Sequence, residues 1–334
     1  MEIIDTLKRP LKDLRISVTD KCNFRCTYCM PKEIFGHTHI FLKREELLTF
    51  EEITRLVRIF KRFGVRKVRL TGGEPLLRHS VEVLVTMLRE IPDLDLAMTT
   101  NASLLPQKIQ ALKKAGLDRI TVSLDSLDEQ TFRKINDVGF PVSKVLDGIH
   151  AAEQAGFHPL KINMVVQRGV NEKDILPMAE YFRGTGHILR FIEFMDVGTT
   201  NGWRMDDVVP ARQIVETIHA AHPLVPAEPH YRGEVARRYL YKDGGGEIGI
   251  IASVTQPFCR DCTRIRLSAK GGLYTCLFGI QPFDMRAMLR DGANDDEIYQ
   301  AIIQLWQARA DRYSEIRSSQ TRNLPKVEMS FIGG

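Results

Sequence analysis

The chain has no run of eighteen apolar residues, so it offers no candidate membrane-spanning helix. Its first ten residues include Glu2, Asp5, Lys8 and Arg9 and lack the apolar stretch of an export signal, which points to a cytoplasmic protein. Charge of one sign is scarce as well. Against 42 Asp and Glu stand 47 Lys and Arg, a net +5 that could serve an anionic ligand but is too small to imply nucleic acid. There are no internal repeats and no low-complexity block. Cysteine is sparse, yet all six fall into two triplets, Cys22/Cys26/Cys29 and Cys259/Cys262/Cys276. In a reducing compartment such clusters indicate metal rather than disulfides. At 334 residues and 43% hydrophobic content the chain can bury a sizeable core and form more than one domain.

The first 200 or so residues alternate β-rich runs with amphipathic helical stretches. Candidate strands cover 14–19, 67–71, 94–100, 119–125, 160–166 and 188–194. Between the first two, Ile53, Leu56, Val57, Phe60 and Phe63 recur at helical spacing, with Thr49 and Glu52 as a capping box and Gly64 as a stop. Six β/α units are fewer than the eight of a closed barrel, and either an open, partial barrel or a doubly wound sheet fits this order.

Side-chain alternation favours the partial barrel. In the first strand Ile16 and Val18 oppose Arg15, Ser17 and Thr19; in the second Val68 and Leu70 oppose Lys67, Arg69 and Thr71. Val122 and Leu124 likewise oppose Thr121, Ser123 and Asp125, and Ile162, Met164 and Val166 oppose Lys161, Asn163 and Val165. A sheet covered by helices on both sides reads apolar on both faces, and a closed barrel fills with branched apolar residues. Neither describes these strands. A lumen lined by Arg15, Arg69, Lys161 and Arg190 is costly if dry and unpaired, and it suits a polar, multiply anionic small molecule. Charges snorkelling from strand ends into solvent are the alternative.

After Gly202 the rhythm breaks. A helix at 211–221 leads through Pro223, Pro226 and Pro229, a linker or cover, to short strands at 247–253, 263–269 and 273–278 and two more helical stretches. The expected architecture is α/β: an open β/α barrel of about six parallel strands over 1–205, and a smaller α+β cluster-binding region over 206–334.

Cys22-x3-Cys26-x2-Cys29 follows the first strand, at the rim where barrel chemistry sits. Iron-sulfur clusters ordinarily take four thiolates, so three leave one iron open to an outside chelator. Structural zinc, recruiting His37 or His39, is the alternative. Cys259-x2-Cys262-x13-Cys276 again offers three ligands with no His between them, and Arg264 and Arg266 share one face of the strand beside it.

The loop Cys-Asn-Phe-Arg-Cys-Thr-Tyr-Cys and the Gly72-Gly73-Glu74-Pro75 run ending the second strand resemble the radical S-adenosylmethionine superfamily. That resemblance implies a 4Fe-4S cluster on Cys22, Cys26 and Cys29 whose open iron is chelated by S-adenosylmethionine, with Gly73 letting the backbone approach the methionine moiety. With the second triplet, the run Arg190-Phe191-Ile192-Glu193-Phe194-Met195 and a terminal Gly-Gly, the whole chain resembles the GTP 3',8-cyclase family, which opens molybdenum cofactor biosynthesis. The resemblance implies two 4Fe-4S clusters. At the first, S-adenosylmethionine is cleaved reductively, and the resulting 5'-deoxyadenosyl radical takes the 3' hydrogen of GTP, whose ribose then closes onto guanine carbon 8.

Carried over by motif, Arg15, Arg69, Thr100, Lys161, Arg264 and Arg266 correspond to GTP contacts, with guanine at the second cluster. Tyr28, Gly73, Ser123 and Met195 correspond to S-adenosylmethionine contacts, and Gly333 and Gly334 to a tail that reaches the active site. The same resemblance implies an external electron donor, a homodimer, and transfer of the product to cyclic pyranopterin monophosphate synthase. One departure is Ala102, where the family commonly has Gly. Two rival readings are a radical peptide-modifying enzyme, which usually carries more auxiliary cysteines, and a zinc-stabilised nucleic-acid-binding protein.

Overall fold

The computed structural model describes residues 2–317 and 326–333. Six β/α units come first: β1 (Asp13–Ser17), β2 (Lys67–Thr71), β3 (Asp95–Thr100), β4 (Arg119–Ser123), β5 (Lys161–Val166) and β6 (Ile188–Glu193), with α1 (Phe50–Arg62), α2 (Val81–Arg89), α3 (Leu105–Lys114), α4 (Glu129–Asn136), α5 (Val142–Gln154) and α6 (Ile175–Phe182) between or after them. The local signals act as expected. Thr49 accepts from the Glu52 N–H and Glu52 reaches back to the Thr49 N–H, so α1 starts in a complete capping box. Its Ile53, Leu56, Val57 and Phe60 are buried against the sheet.

Beyond α7 (Ala211–Ala221) come β7 (Leu224–Ala227), β8 (Arg237–Tyr241), β9 (Glu247–Ile251), β10 (Arg264–Leu267), β11 (Gly272–Tyr274) and β12 (Phe283–Asp284), then α8 (Met285–Arg290) and α9 (Asp295–Gln307). These strands do not form a sheet of their own. The order is β12-β11-β10-β1-β2-β3-β4-β5-β6-β9-β8-β7, with β10 parallel to β1 and β9 parallel to β6. The open barrel therefore gains one parallel strand at each edge, followed by an antiparallel hairpin arm. The Pro-rich stretch expected to be a linker contains β7, and Pro226 is tolerated there because β7 is the sheet's edge.

Register puts the basic residues in a row. Arg15 pairs across to Arg266 on β10 and to Arg69 on β2, while Asn163 pairs to Arg190 and Arg190 to Gly249. A Cβ on Gly249 would lie 2.9 Å from Arg190 Cγ, so this glycine makes room for the arginine's stem. Along β5 and β6 buried residues alternate with half-buried ones. The buried set packs against the helices and the half-buried set, Lys161, Asn163, Arg190 and Ile192 among them, faces the lumen. Glu193, fully buried at the end of β6, joins three elements: its carboxylate accepts from the N–H groups of Ala211, Val254 and Thr255. Among the described residues no helix is long and apolar enough to cross a membrane.

Candidate active site

The lumen is a cavity of about 360 Å³, the size of a small-molecule site. Arg69 is clamped in it, one guanidinium nitrogen donating to both Thr99 and Thr121 at 3.0 Å. Arg190 leans on Thr121 at 3.5 Å, while its Nε and the Oδ1 of neighbouring Asn163 are buried without a partner among the described residues. The side chains of Arg15 and Lys161 make no hydrogen bond among the described residues. Burial, then Arg264 and Arg69, lowers the Arg15 pKa to about 9. Burial, then Arg190 and Arg119, lowers Arg69 to about 10 and Lys161 to about 8. Such a set of crowded cations, each with its pKa lowered on balance, is stabilised by an anionic guest.

Cys22, Cys26 and Cys29 lie just past β1 and open onto this cavity. Their loop is tied down by Arg25, which donates to the carbonyls of Cys22, Phe24 and Phe35, and by Phe24, packed on Phe132 and Phe140. Tyr28 donates to Asp125 at 2.8 Å, and burial raises Asp125 to about 6. Burial, then Glu74, pushes the Cys22 thiol up to about 12, and Cys26 and Cys29 are raised too. These thiols ionise when a metal takes the protons' place. A single tetrahedral zinc at Zn–S ≈ 2.3 Å holds its sulfurs ~3.8 Å apart. Among the described residues the only metal-capable set with all its ligand atoms within 4.8 Å is Glu153, His158 and His187, so both cysteine triplets are spread more widely than one ion requires. His37 is exposed and His39 packs on Phe35 and Phe41, so neither supplies a fourth zinc ligand. The thiols fit a larger, cuboidal group.

The second triplet faces the same cavity from the opposite side of β1, Cys259 and Cys262 before β10 and Cys276 after β11. Cys262 Sγ accepts from Arg264 and from Arg309, each at 3.2 Å. Burial alone would raise Cys262, but the two guanidinium groups outweigh it and bring the thiol to about 6; Cys276, buried and near Asp311, rises to about 11. Arg266 donates to the Gly333 carbonyl. The tail that delivers Gly333 is anchored by Lys326 on Asp196 and by Glu328 on the Thr199 N–H, each at 2.9 Å. Gly334 lies outside the described residues.

Other sequence candidates are brought together as well, with two adjustments. Ser123, Met195 and Thr100 all line the cavity, but the Thr100 hydroxyl donates to buried Glu74 at 2.8 Å. Gly73 also lines it, yet the demand for glycine comes from the chain itself: a Cβ there would collide with the Lys21 carbonyl. Ala102 has φ of 63°, a left-handed conformation that glycine adopts at lower cost. The sequence reading missed Lys67, which shares the Arg69 face and binds the Tyr231 hydroxyl at 2.8 Å, as well as Arg119 and Arg309. Lys67 and Arg119 had a signal in strand alternation, whereas Arg309, just past α9, had none.

The comparisons with known proteins agree with this geometry. The Radical SAM superfamily profile matches residues 16–182 and the Molybdenum Cofactor Synthesis C profile matches residues 187–315. A GTP 3',8-cyclase from Acidothermus cellulolyticus is 52% identical over 99% of each chain. One from Xanthomonas axonopodis pv. citri is 51% identical over 99% of this chain and 98% of its own, and one from Staphylococcus haemolyticus is 47% identical. Among solved structures, SuiB from Streptococcus suis bound to S-adenosylmethionine superposes with a TM-score of 0.63 at 15% identity, covering 92% of this chain and 68% of SuiB, a likeness of fold. By full-length identity and by both matched profiles, the chain belongs to the GTP 3',8-cyclase family of radical S-adenosylmethionine enzymes.

Proposed function

We infer that the chain converts GTP to (8S)-3',8-cyclo-7,8-dihydroguanosine 5'-triphosphate, the first step of molybdenum cofactor biosynthesis. The observation that carries this reading is the pair of three-cysteine sets facing one cationic cavity. Cys22, Cys26 and Cys29 would hold one 4Fe-4S cluster and Cys259, Cys262 and Cys276 the other, each with an iron left for a small molecule. The first cluster, with S-adenosylmethionine, supplies the radical that takes the ribose 3' hydrogen.

The chain's own residues position and exclude. Tyr28, Gly73, Ser123 and Met195 form the S-adenosylmethionine side of the cavity. Arg69, held by two threonine hydroxyls, and Arg15, Lys161 and Arg190, none in a direct ion pair among the described residues, neutralise the triphosphate. Thr100 supports this wall through Glu74. Arg264 and Arg266 stand beside the second triplet, whose cluster would leave an iron for guanine, and Arg266 holds the tail at Gly333, with Gly334 expected to extend it. Residues 1–205 would generate the radical and 206–334 would hold the second cluster and the base. A cytoplasmic homodimer, fed by an external electron donor and passing its product to cyclic pyranopterin monophosphate synthase, completes the reading.

The division of labour is testable. Cys22→Ala should abolish 5'-deoxyadenosine formation, whereas Cys276→Ala should retain part of it and lose the cyclised product. Equal loss of 5'-deoxyadenosine in both variants contradicts the assignment.

A further inference from the structure

The wall behind the second triplet is built from the two ends of the chain. Arg309, with 1% of its side chain exposed, follows α9 and lies over the Trp306 ring at 4.5 Å. One guanidinium nitrogen donates to the Cys262 carbonyl at 2.8 Å and to Asp5 Oδ2 at 3.2 Å; the other is 3.2 Å from Cys262 Sγ. Asp5 is shared. It also accepts from Arg9 Nε at 2.6 Å, and Arg9 in turn donates to the Cys259 carbonyl at 2.8 Å. Two buried guanidinium groups thus divide one carboxylate, with the partly exposed Asp311 3.5 Å from Arg309 Nε.

The two cations and two carboxylates balance, but the arrangement turns guanidinium N–H groups, not carboxylates, toward the Cys259–Cys262 turn. A thiolate-bound iron-sulfur cluster is anionic, so N–H donors aimed at its sulfur favour it. The contacts reach the turn through two backbone oxygens and one sulfur, so they fix the orientation of the Cys262 ligand as well as its charge. Arg264 bonds the same sulfur from β10, whereas Arg309 reaches it from the segment after α9, with Asp5 fixing its direction.

We propose that Arg309 is a positioning residue for the second cluster: its guanidinium donates to the Cys262 sulfur, holds that ligand in place and raises the cluster's reduction potential. This rests on the reading that Cys259, Cys262 and Cys276 hold an iron-sulfur cluster. When a reductant adds one electron, the cluster gains negative charge and exchanges no atoms. A cation and an N–H donor at its sulfur stabilise that reduced form, because hydrogen bonds to the sulfurs and net charge set such potentials.

The test uses the full chain carrying Cys22→Ala, Cys26→Ala and Cys29→Ala, reconstituted so that only the second cluster forms, in a potentiometric titration with dithionite followed by electron paramagnetic resonance. Iron and sulfide analysis of this parent tests the underlying reading by itself: a parent without a cluster removes that reading. With the cluster present, adding Arg309→Met should move the midpoint to a more negative potential, and Arg309→Lys should fall between. A purely structural tie between the chain ends would lower the melting temperature and leave the midpoint in place, which overturns the proposal. Should Arg309→Met fail to fold, Arg309→Lys carries the test, and a midpoint equal to the parent's overturns it equally.

Discussion

Arg15 sits in the lumen flanked by Arg69 and Arg266 across the sheet, and its side chain makes no hydrogen bond among the described residues. Its pKa falls from 12.5 to about 9 through burial first and then Arg264 and Arg69. That difference corresponds to on the order of 5 kcal/mol against the charged form. A base whose folded pKa is depressed carries this penalty in full below about pH 9 and loses it only as pH climbs toward 12.5. Arg15 is half-buried and keeps some solvent contact, so about 2 kcal/mol is the expected gain when Arg15→Met removes the charge but keeps the stem. In the nucleotide-free protein the melting temperature should therefore rise by a few degrees. Affinity should move the other way. Loss of a charge-assisted contact to a phosphate costs about 1.5–3 kcal/mol, or roughly 10- to 150-fold in Kd. Calorimetry on the cluster-loaded protein, with and without GTP, measures both. A variant that melts lower and binds GTP as tightly as the parent refutes the idea that Arg15 is held unpaired for an anion.

Lys161, lowered to about 8 by burial and then by Arg190, Arg119 and Arg69, should make GTP binding depend on pH. An anionic ligand raises this pKa, so affinity is full below about pH 8 and declines above it. Titrations from about pH 7 to about pH 9 should show that decline in the parent and not in Lys161→Met; an identical slope in both removes Lys161 from the site. A Cβ at Gly148 in α5 would sit 2.5 Å from the Ala102 carbonyl oxygen and 3.1 Å from its methyl. Gly148→Ala should thus cost about 1–2 kcal/mol despite alanine's better helix propensity, with partial recovery on adding Ala102→Gly. Unchanged or higher thermal stability in the single variant shows that the contact yields easily.

Much of this was legible in the sequence because the relevant signals are local. The capping box at Thr49, the strand runs and the two cysteine spacings each sit within a few residues, and side-chain alternation alone placed Arg15, Arg69 and Lys161 on one face. The misses have a common cause in long-range pairing. β7 was hidden by its proline, which an edge strand accepts and an inner one does not. The joining of β9 to β6 and β10 to β1 depends on pairing between distant segments, as does the Asp5–Arg309 contact across nearly the whole chain. Gly73 has a reason the sequence could not show, the crowding of a Cβ against the Lys21 carbonyl.

The central claim is that one cavity brings a radical generator to the ribose of GTP. Anaerobic incubation of the cluster-loaded enzyme with S-adenosylmethionine, dithionite and GTP deuterated at the 3' carbon, read by mass spectrometry, tests it most directly. Deuterium should appear in 5'-deoxyadenosine together with a new product of the mass of unlabelled GTP. If 5'-deoxyadenosine forms without deuterium and the labelled GTP is recovered intact, the cavity does not perform this cyclisation.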